Sequence, residues 1–288
     1  IIQGQNIDDA ISLTFENNNG NARFSSMSGA FSSLGGNLSA ISINPASSSV
    51  FELSRLGFSL NGDSKDVQSS FSNSSSSVNS NYFNFQGGIV YVFKNYGEGK
   101  FRKFSFGINN QNTNDYNFDQ LVKGRSRFSV DRFFLNNSIG YNVNDVSVGS
   151  NETINGVYRW LGQNYGYSSQ QAFLGFQSYL LDYDNQNNSF YSIAKYNNGL
   201  DINNFYYSQG RKNKSSINLA AQYGENFYFG INFNIYELYS KKSFRHLENN
   251  FDNDSAITLI DFRNELLTRG KGFSQASLPF GVIISPLD

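Results

Sequence analysis

Residues 226–240, NFYFGINFNIYELYS, alternate without a break: Phe227, Phe229, Ile231, Phe233 and Ile235 fall on one side, and Gly230, Asn232 and Asn234 on the other. A period of two is the repeat of an extended strand, whose successive side chains point to opposite faces. The two faces differ in kind. Soluble sandwiches favour Val, Ile and Leu on the buried face and polar residues outside, whereas here an aromatic face stands opposite one of Asn and Gly almost without charge. That pairing suits a wall with lipid on one side and a hydrated interior on the other.

The same reading extends in both directions. At 215–223, Ile217, Leu219, Ala221 and Tyr223 oppose Ser216, Asn218, Ala220 and Gln222, and Gly224-Glu225 reads as a two-residue hairpin turn into the next strand. Upstream, Phe83, Phe85, Ile89, Tyr91 and Phe93 alternate within 81–94, and Phe104, Phe106 and Ile108 within 101–110, joined by the short link Asn95 to Lys100. Further candidates at 50–62, about 189–195, 203–211, 255–268 and 272–285 bring the count to roughly nine strands by the alternation criterion. The links are unequal, short turns at one end and long loops at the other, as outer-membrane barrels require. The polar stretch 63–80 reads as a loop. The longest insertion, about 116–188, carries two helix-like pieces: 153–162 with Trp160, and 168–181, where Ala172, Phe173, Phe176, Tyr179 and Leu180 share a face behind a Ser cap. They suggest a partly helical cap over one mouth. The expected fold class is all-β, a transmembrane antiparallel β-barrel.

Composition narrows the functions. The 288 residues include 28 Phe and 18 Tyr but only 3 Pro, and mean hydropathy is -0.45, with no apolar run long enough for a spanning helix. A membrane crossing must therefore use strands. Net charge is -1, with 22 basic and 23 acidic residues scattered along the chain, so no footprint for nucleic acid is present. Cysteine is absent and His246 is the one histidine, which excludes disulfides, thiol catalysis and His- or Cys-based metal sites. No signal peptide precedes Ile1; an exported chain is then expected to be mature, although a cytosolic chain would look the same.

The first fifty residues have a different texture. Residues 6–16 read as a short helix with Asn6 at the N-cap, and 20–50 as a Gly-, Ala- and Ser-rich segment punctuated by Phe24, Met27, Phe31, Leu34 and Leu38. Gly35-Gly36 and Pro45 break any long helix, so a compact irregular element packed inside something larger is expected. Phe24, Met27, Phe31 and Leu34 are the candidate ligand-binding residues, because sites for apolar ligands are apolar and concave. Packing of the segment against its surroundings is the competing explanation for each of them.

The segment Ala22–Phe51 resembles the plug of the FadL/OmpP1/TodX family, the outer-membrane transporters of hydrophobic compounds. The matching marks are the small-residue run around Gly29-Ala30-Phe31, the Gly35-Gly36 pair, and the signature Asn44-Pro45-Ala46 leading into the first strand. The Bacteroidetes branch, often labelled hemin receptor or hydrophobic-compound transporter, is the most similar variant; AFLGFQSYLLDYDN and NFYFGINFNIYELYSKKSF resemble it as well. The resemblance implies a barrel of about fourteen strands with residues 1–50 as a lumenal hatch and 51–288 as barrel. Because the chain ends at GVIISPLD, without the terminal aromatic strand of such barrels, it also implies an incomplete barrel.

Chemistry by these residues finds little support. A triad would need His246, which reads as a solvated loop residue. Asp182 and Asp184 with Asn185 and Asn188, and Asp252 and Asp254 with Asn250 and Asn253, carry calcium-type oxygens but neither the Gly nor the terminal Glu of an EF-hand, and read as solvated loop tips. Ser47-Ser48-Ser49 and the glycines at 35, 36, 87 and 88 lack the Lys of a phosphate loop and read as packing against strands. The expectation is thus a non-enzyme with no cofactor and no metal, in the bacterial outer membrane, with lipid, a small hydrophobic ligand and other outer-membrane proteins as partners. Passive uptake of small hydrophobic compounds such as long-chain fatty acids past the hatch is the leading function. The alternative is a non-transporting barrel serving as subunit or cargo partner of an outer-membrane secretion or assembly complex.

Overall fold

The computed structural model describes Ile11 and residues 14–17, 19–28 and 30–285, with residues 271–275 by backbone alone. Its strands are β1 (Arg55–Phe71), β2 (Ser74–Lys94), β3 (Phe101–Asp115), β4 (Phe118–Ser126), β5 (Leu181–Asp184), β6 (Ser189–Ser192), β7 (Leu200–Tyr223), β8 (Phe227–Asn249), β9 (Ile260–Ser277) and β10 (Phe280–Ile284). Apart from the small β5–β6 hairpin they form one sheet in the order β1-β2-β3-β7-β8-β10, with β4 extending the line of β3 along β7 and β9 that of β10 along β8. Every pairing is antiparallel. Among the described residues β1 ladders only with β2, and β9 and β10 only with β8, so the sheet has free edges. About eight strands are the fewest that close a transmembrane barrel, and the ladder here is six strands wide.

The registers line up like with like across the sheet. Leu56, Ile89, Ile108, Ile217 and Phe233 form one row, and Tyr91, Phe106, Leu219, Ile231 and Phe280 the next, all on one face. On the opposite face the matching rows are Gly88, Asn109, Ser216 and Asn234, then Val90, Gly107, Asn218 and Asn232. Because the side-chain period is two, a one-residue slip would exchange the faces completely, so the contrast fixes the register. The apolar face is open: Phe58 is 85% exposed, Phe280 75%, Phe83 70% and Leu219 57%.

Several strands outrun their sequence patterns. The stretch 63–80, expected as a loop, is the far end of the β1–β2 hairpin, paired without interruption from Arg55↔Val90 to Phe71↔Ser74. Ser and Asn carry little strand preference of their own, and the ladder of backbone hydrogen bonds extends through them from the apolar end. The candidates 203–211 and 215–223 are one strand, β7, and the turn after it spans residues 224–226, with Gly224 at φ 61°. The 241–249 stretch, around the His246 expected in a solvated loop, completes β8. There His246 is nearly buried, its Nε2 2.7 Å from Glu248 Oε1 and its Nδ1 against Asn204 Oδ1. Glu248 is 1% exposed and accepts from Ser129 Oγ and the Val130 amide, fastening the helical insertion to the sheet.

That insertion contains α3 (Asp131–Ser138), α4 (Ile154–Asn164) and α5 (Tyr167–Gln177), following α1 (Ala22–Ser26) and α2 (Phe31–Leu34) in the N-terminal segment. Phe134, Val157, Leu161, Ala172, Phe173 and Leu181 form its own core, which also packs on Phe262 of β9. Thr153 caps α4 through the Gly156 amide; α5 is capped by Gly166 at φ 88°, not by the expected serine, and stops at Gln177, leaving Tyr179 exposed. The expected helix at 6–16 lies outside the described residues except for Ile11 and 14–16. Among the described residues, no helix is long and apolar enough to cross a membrane, which says nothing of strands.

Candidate functional site

The site is where the N-terminal segment lies on the polar face of the sheet. Asn44 starts a tight turn by accepting the Ala46 amide at 3.0 Å, and Pro45 at the first helical position supplies the fixed φ that suits it. The 3-10 turns Ser39–Ser42 and Pro45–Val50 result, short enough to lie in a shallow trough. The trough exists because Ala220, Gly230 and Gly281 are small and adjacent in register. A Cβ at Gly230 would stand 2.5 Å from the Pro45 carbonyl oxygen, and one at Gly281 1.9 Å from Asn44 Oδ1.

A chain of amides and hydroxyls joins the two surfaces. Asn218 Nδ2 donates to the Pro45 carbonyl at 2.9 Å and to Asn232 Oδ1 at 2.6 Å, while Asn232 Nδ2 donates to the Ile41 carbonyl at 2.6 Å. Ser48 donates to Asn218 Oδ1 and stands 2.8 Å from Ser105 Oγ. Ser39 Oγ donates to Gln86 Oε1 at 2.6 Å. Asn218 and Asn232 are fully buried, so each amide left unpaired would cost about 1–3 kcal/mol. The contact is hydrogen-bonded through these residues, with Ile41 and Ala46 buried beside them, while Ser216 Oγ and Asn234 Oδ1 on the same face are buried without a partner among the described residues.

An ion cluster closes one end. Lys214 Nζ lies 3.1 Å from Glu16 Oε2 and 3.1 Å from the Ser42 carbonyl, and Lys212 Nζ 3.5 Å from Glu16 Oε1. Both ammonium groups also lie over the Tyr236 ring, at 5.1 and 5.5 Å. Burial pushes the Glu16 carboxyl up, but the attraction of Lys214 and Lys212 outweighs it and holds the group below its ordinary value. A carboxylate with a depressed folded-state pKa contributes stability above its unfolded value and loses it as pH falls through the folded value. Glu16→Gln is therefore expected to lower the melting temperature at pH 7, with the gap to wild type closing as pH drops below the ordinary glutamate range. A gap independent of pH would show that Glu16 contributes packing alone.

The expected ligand residues separate into two pairs. Phe24 and Phe31 are buried, their rings stacked at 6.3 Å, with the Arg23 guanidinium 5.1 Å above Phe31. Met27 and Leu34 are exposed, at 40% and 56%. The four do not line one cavity: Phe24 and Phe31 are the segment's own core with Ala40, and the other two face away from it. Asn44, Pro45 and Ala46 sit together at the docking turn. Sequence reasoning placed Asn218, Asn232 and Gly230 on the polar face but did not identify Glu16, Ser48, Lys214 or Gly281 as their neighbours; the alternation of β7 and β8 was the available signal. Asp184 turns inward on its own hairpin, accepting from the Gln186 amide and Asn187 Nδ2, and Asp252 accepts from the amides of Asn197. No metal-ligating cluster occurs among the described residues. No family model, no curated protein and no solved structure matches the chain.

Proposed function

We propose that this chain is the wall and hatch of an outer-membrane β-barrel that takes up small hydrophobic compounds passively, the N-terminal segment moving to open the path. The observation that carries the reading is the two-sided sheet: an open apolar face on one side, and a polar face covered by a hydrogen-bonded segment on the other. From Phe83 to Phe93, β2 advances about 33 Å at ~3.3 Å per residue, which a tilt of about 40° reduces to about 25 Å, the height of the apolar band of a transmembrane barrel. Exposed aromatics in that number cost a water-facing surface heavily. The edges at β1 and at β9–β10, unpaired among the described residues, would be covered in a closed wall by further strands or a second copy. The substrate class rests on the resemblance of Ala22–Phe51 to the plug of the hydrophobic-compound transporters, and localisation in the bacterial outer membrane rests on it together with the apolar band.

The test uses the hydroxyls of Ser48 and Ser105, 2.8 Å apart across the interface. In a chain without cysteine, Ser48→Cys with Ser105→Cys allows the segment to be tethered by oxidation and released by reductant. Protein reconstituted in liposomes is expected to admit a long-chain fatty acid when reduced and to stop when oxidised. Equal uptake in both states would refute hatch movement. Absence of uptake in either, with stable co-purification of a larger outer-membrane complex, would favour the subunit role instead.

A further inference from the structure

Between α4 and the turn that precedes it lies a half-open cleft of about 650 Å3. One wall is α4, with Val157 and Leu161 at the base and Trp160 at the mouth; the other is the stretch 140–153, carrying Tyr141, Asp145 and Glu152. We propose that this cleft binds a small organic cation, a primary or quaternary ammonium compound, through its aromatic rings and two carboxylates.

The walls are built before any ligand arrives. Asn142 and Asp145 form a reciprocal cap around the 3-10 turn Val143–Val146, Val146 is fully buried, and Gln177 Nε2 of α5 holds its carbonyl at 3.1 Å. Glu152 Oε2 accepts the Gly149 amide at 2.9 Å, and Asp145 Oδ2 the Asn142 amide at 2.8 Å. Each carboxylate thus has one oxygen fixed by local backbone. The other, Oδ1 of Asp145 and Oε1 of Glu152, takes no hydrogen bond from the described residues. Trp160 is 52% exposed and meets Tyr165 edge to face at 5.4 Å, an arrangement that presents ring surface to the cleft mouth and contributes nothing to the insertion's core. No basic residue lines the cleft.

Aromatic faces and carboxylates both attract a cation, and their convergence on one cleft adds the two attractions. An anion meets two negative groups and no compensating positive charge. The same repulsion disfavours a phospholipid headgroup, whose ammonium travels with a phosphate, so the commitment is to a free cation.

Trp160 is the chain's one tryptophan, so its emission reports the cleft directly. Titration of the intact protein with choline is expected to change that emission saturably, while the neutral isostere 3,3-dimethylbutan-1-ol does not. Tyr165→Ala should weaken choline about 2–5-fold, the worth of one exposed cation–π contact. Glu152→Gln should weaken it about ten-fold by removing the ion pair while keeping an acceptor oxygen for the Gly149 amide. An unchanged helical circular dichroism signal and melting temperature of each ligand-free variant certify that the insertion is folded; were Glu152→Gln to fail this, Tyr165→Ala carries the test. An equal response to the neutral isostere, or no saturable response to choline up to about 100 mM, weaker than any functional site, would overturn the proposal.

Discussion

Gly281→Ala is expected to release the N-terminal segment from the sheet while leaving the strands paired. The added methyl would stand 1.9 Å from Asn44 Oδ1, 2.7 Å from Pro45 Cδ and 2.8 Å from Pro45 N. Neither partner is the flexible end of a long side chain: Asn44 is held by its cap and by a 2.7 Å bond to the Ser32 carbonyl, and Pro45 is a ring in the backbone. The turn must therefore lift, and lifting separates Asn218 from the Pro45 carbonyl and Ser48 from Ser105. Overpacking costs about 1–3 kcal/mol, and a buried amide deprived of its acceptor adds about 1–3 kcal/mol, enough to populate the undocked state. Ser47 is fully buried beneath the turn. In a Ser47→Cys background, Gly281→Ala is expected to raise the rate of labelling by a water-soluble maleimide more than about ten-fold, since 1.4 kcal/mol is already a factor of ten. Labelling of the exposed Ser26→Cys should not change. Equal protection of Ser47→Cys with and without the alanine would show that the trough has room to spare.

Leu219→Arg is expected to destabilise the protein in a bilayer by about 2–4 kcal/mol, the cost of a guanidinium on the lipid face near the midplane. Leu219 sits centrally in the row from Tyr91 to Phe280 and is 57% exposed. If that face met water, the same change would fall within about ±0.5 kcal/mol, as surface substitutions ordinarily do. Leu267 provides the depth control. It is 51% exposed on β9, paired with Lys241 well beyond the aromatic rows, and Leu267→Arg should be nearly neutral. Urea unfolding of the reconstituted variants measures both. A Leu219→Arg cost no larger than that of Leu267→Arg would sink the membrane assignment and with it the proposed uptake, leaving the docked segment to be explained as part of a soluble sheet.

The sheet was readable in the sequence where its two faces differ chemically. Residues 226–240 and 215–223 declared strand and facing together, because a period of two with aromatics on one side and small amides on the other has one physical interpretation. Where the faces resemble each other the pattern is silent. Residues 63–80 and 241–249 carry polar side chains on both sides, and they are strands because the ladder begun in the apolar half continues through them. His246 follows the same rule: the composition around it suggested a wet loop, and the pairing of β8 with β7 holds it, nearly buried, between Asn204 and Glu248.

The N-terminal segment divides in the same way. Its texture, small residues broken by Gly35-Gly36 and Pro45, told from sequence alone that it packs against something, and Asn44-Pro45 announced a capped turn. Which of its apolar residues turn inward was not legible: Phe24 and Phe31 stack on each other while Met27 and Leu34 stay outside, since irregular turns have no fixed period to assign a face. The partners were hidden for a further reason. Glu16 meets Lys214, Ser48 meets Asn218, and Asn44 meets Gly281 across separations of about 170 to 240 residues, and no local spacing encodes such contacts. The sequence by itself determined the strands' chemistry, which face repels water and which accepts amides. Only the tertiary structure decided what covers the polar face, because that depends on glycines from distant strands arriving side by side to leave a trough one proline deep.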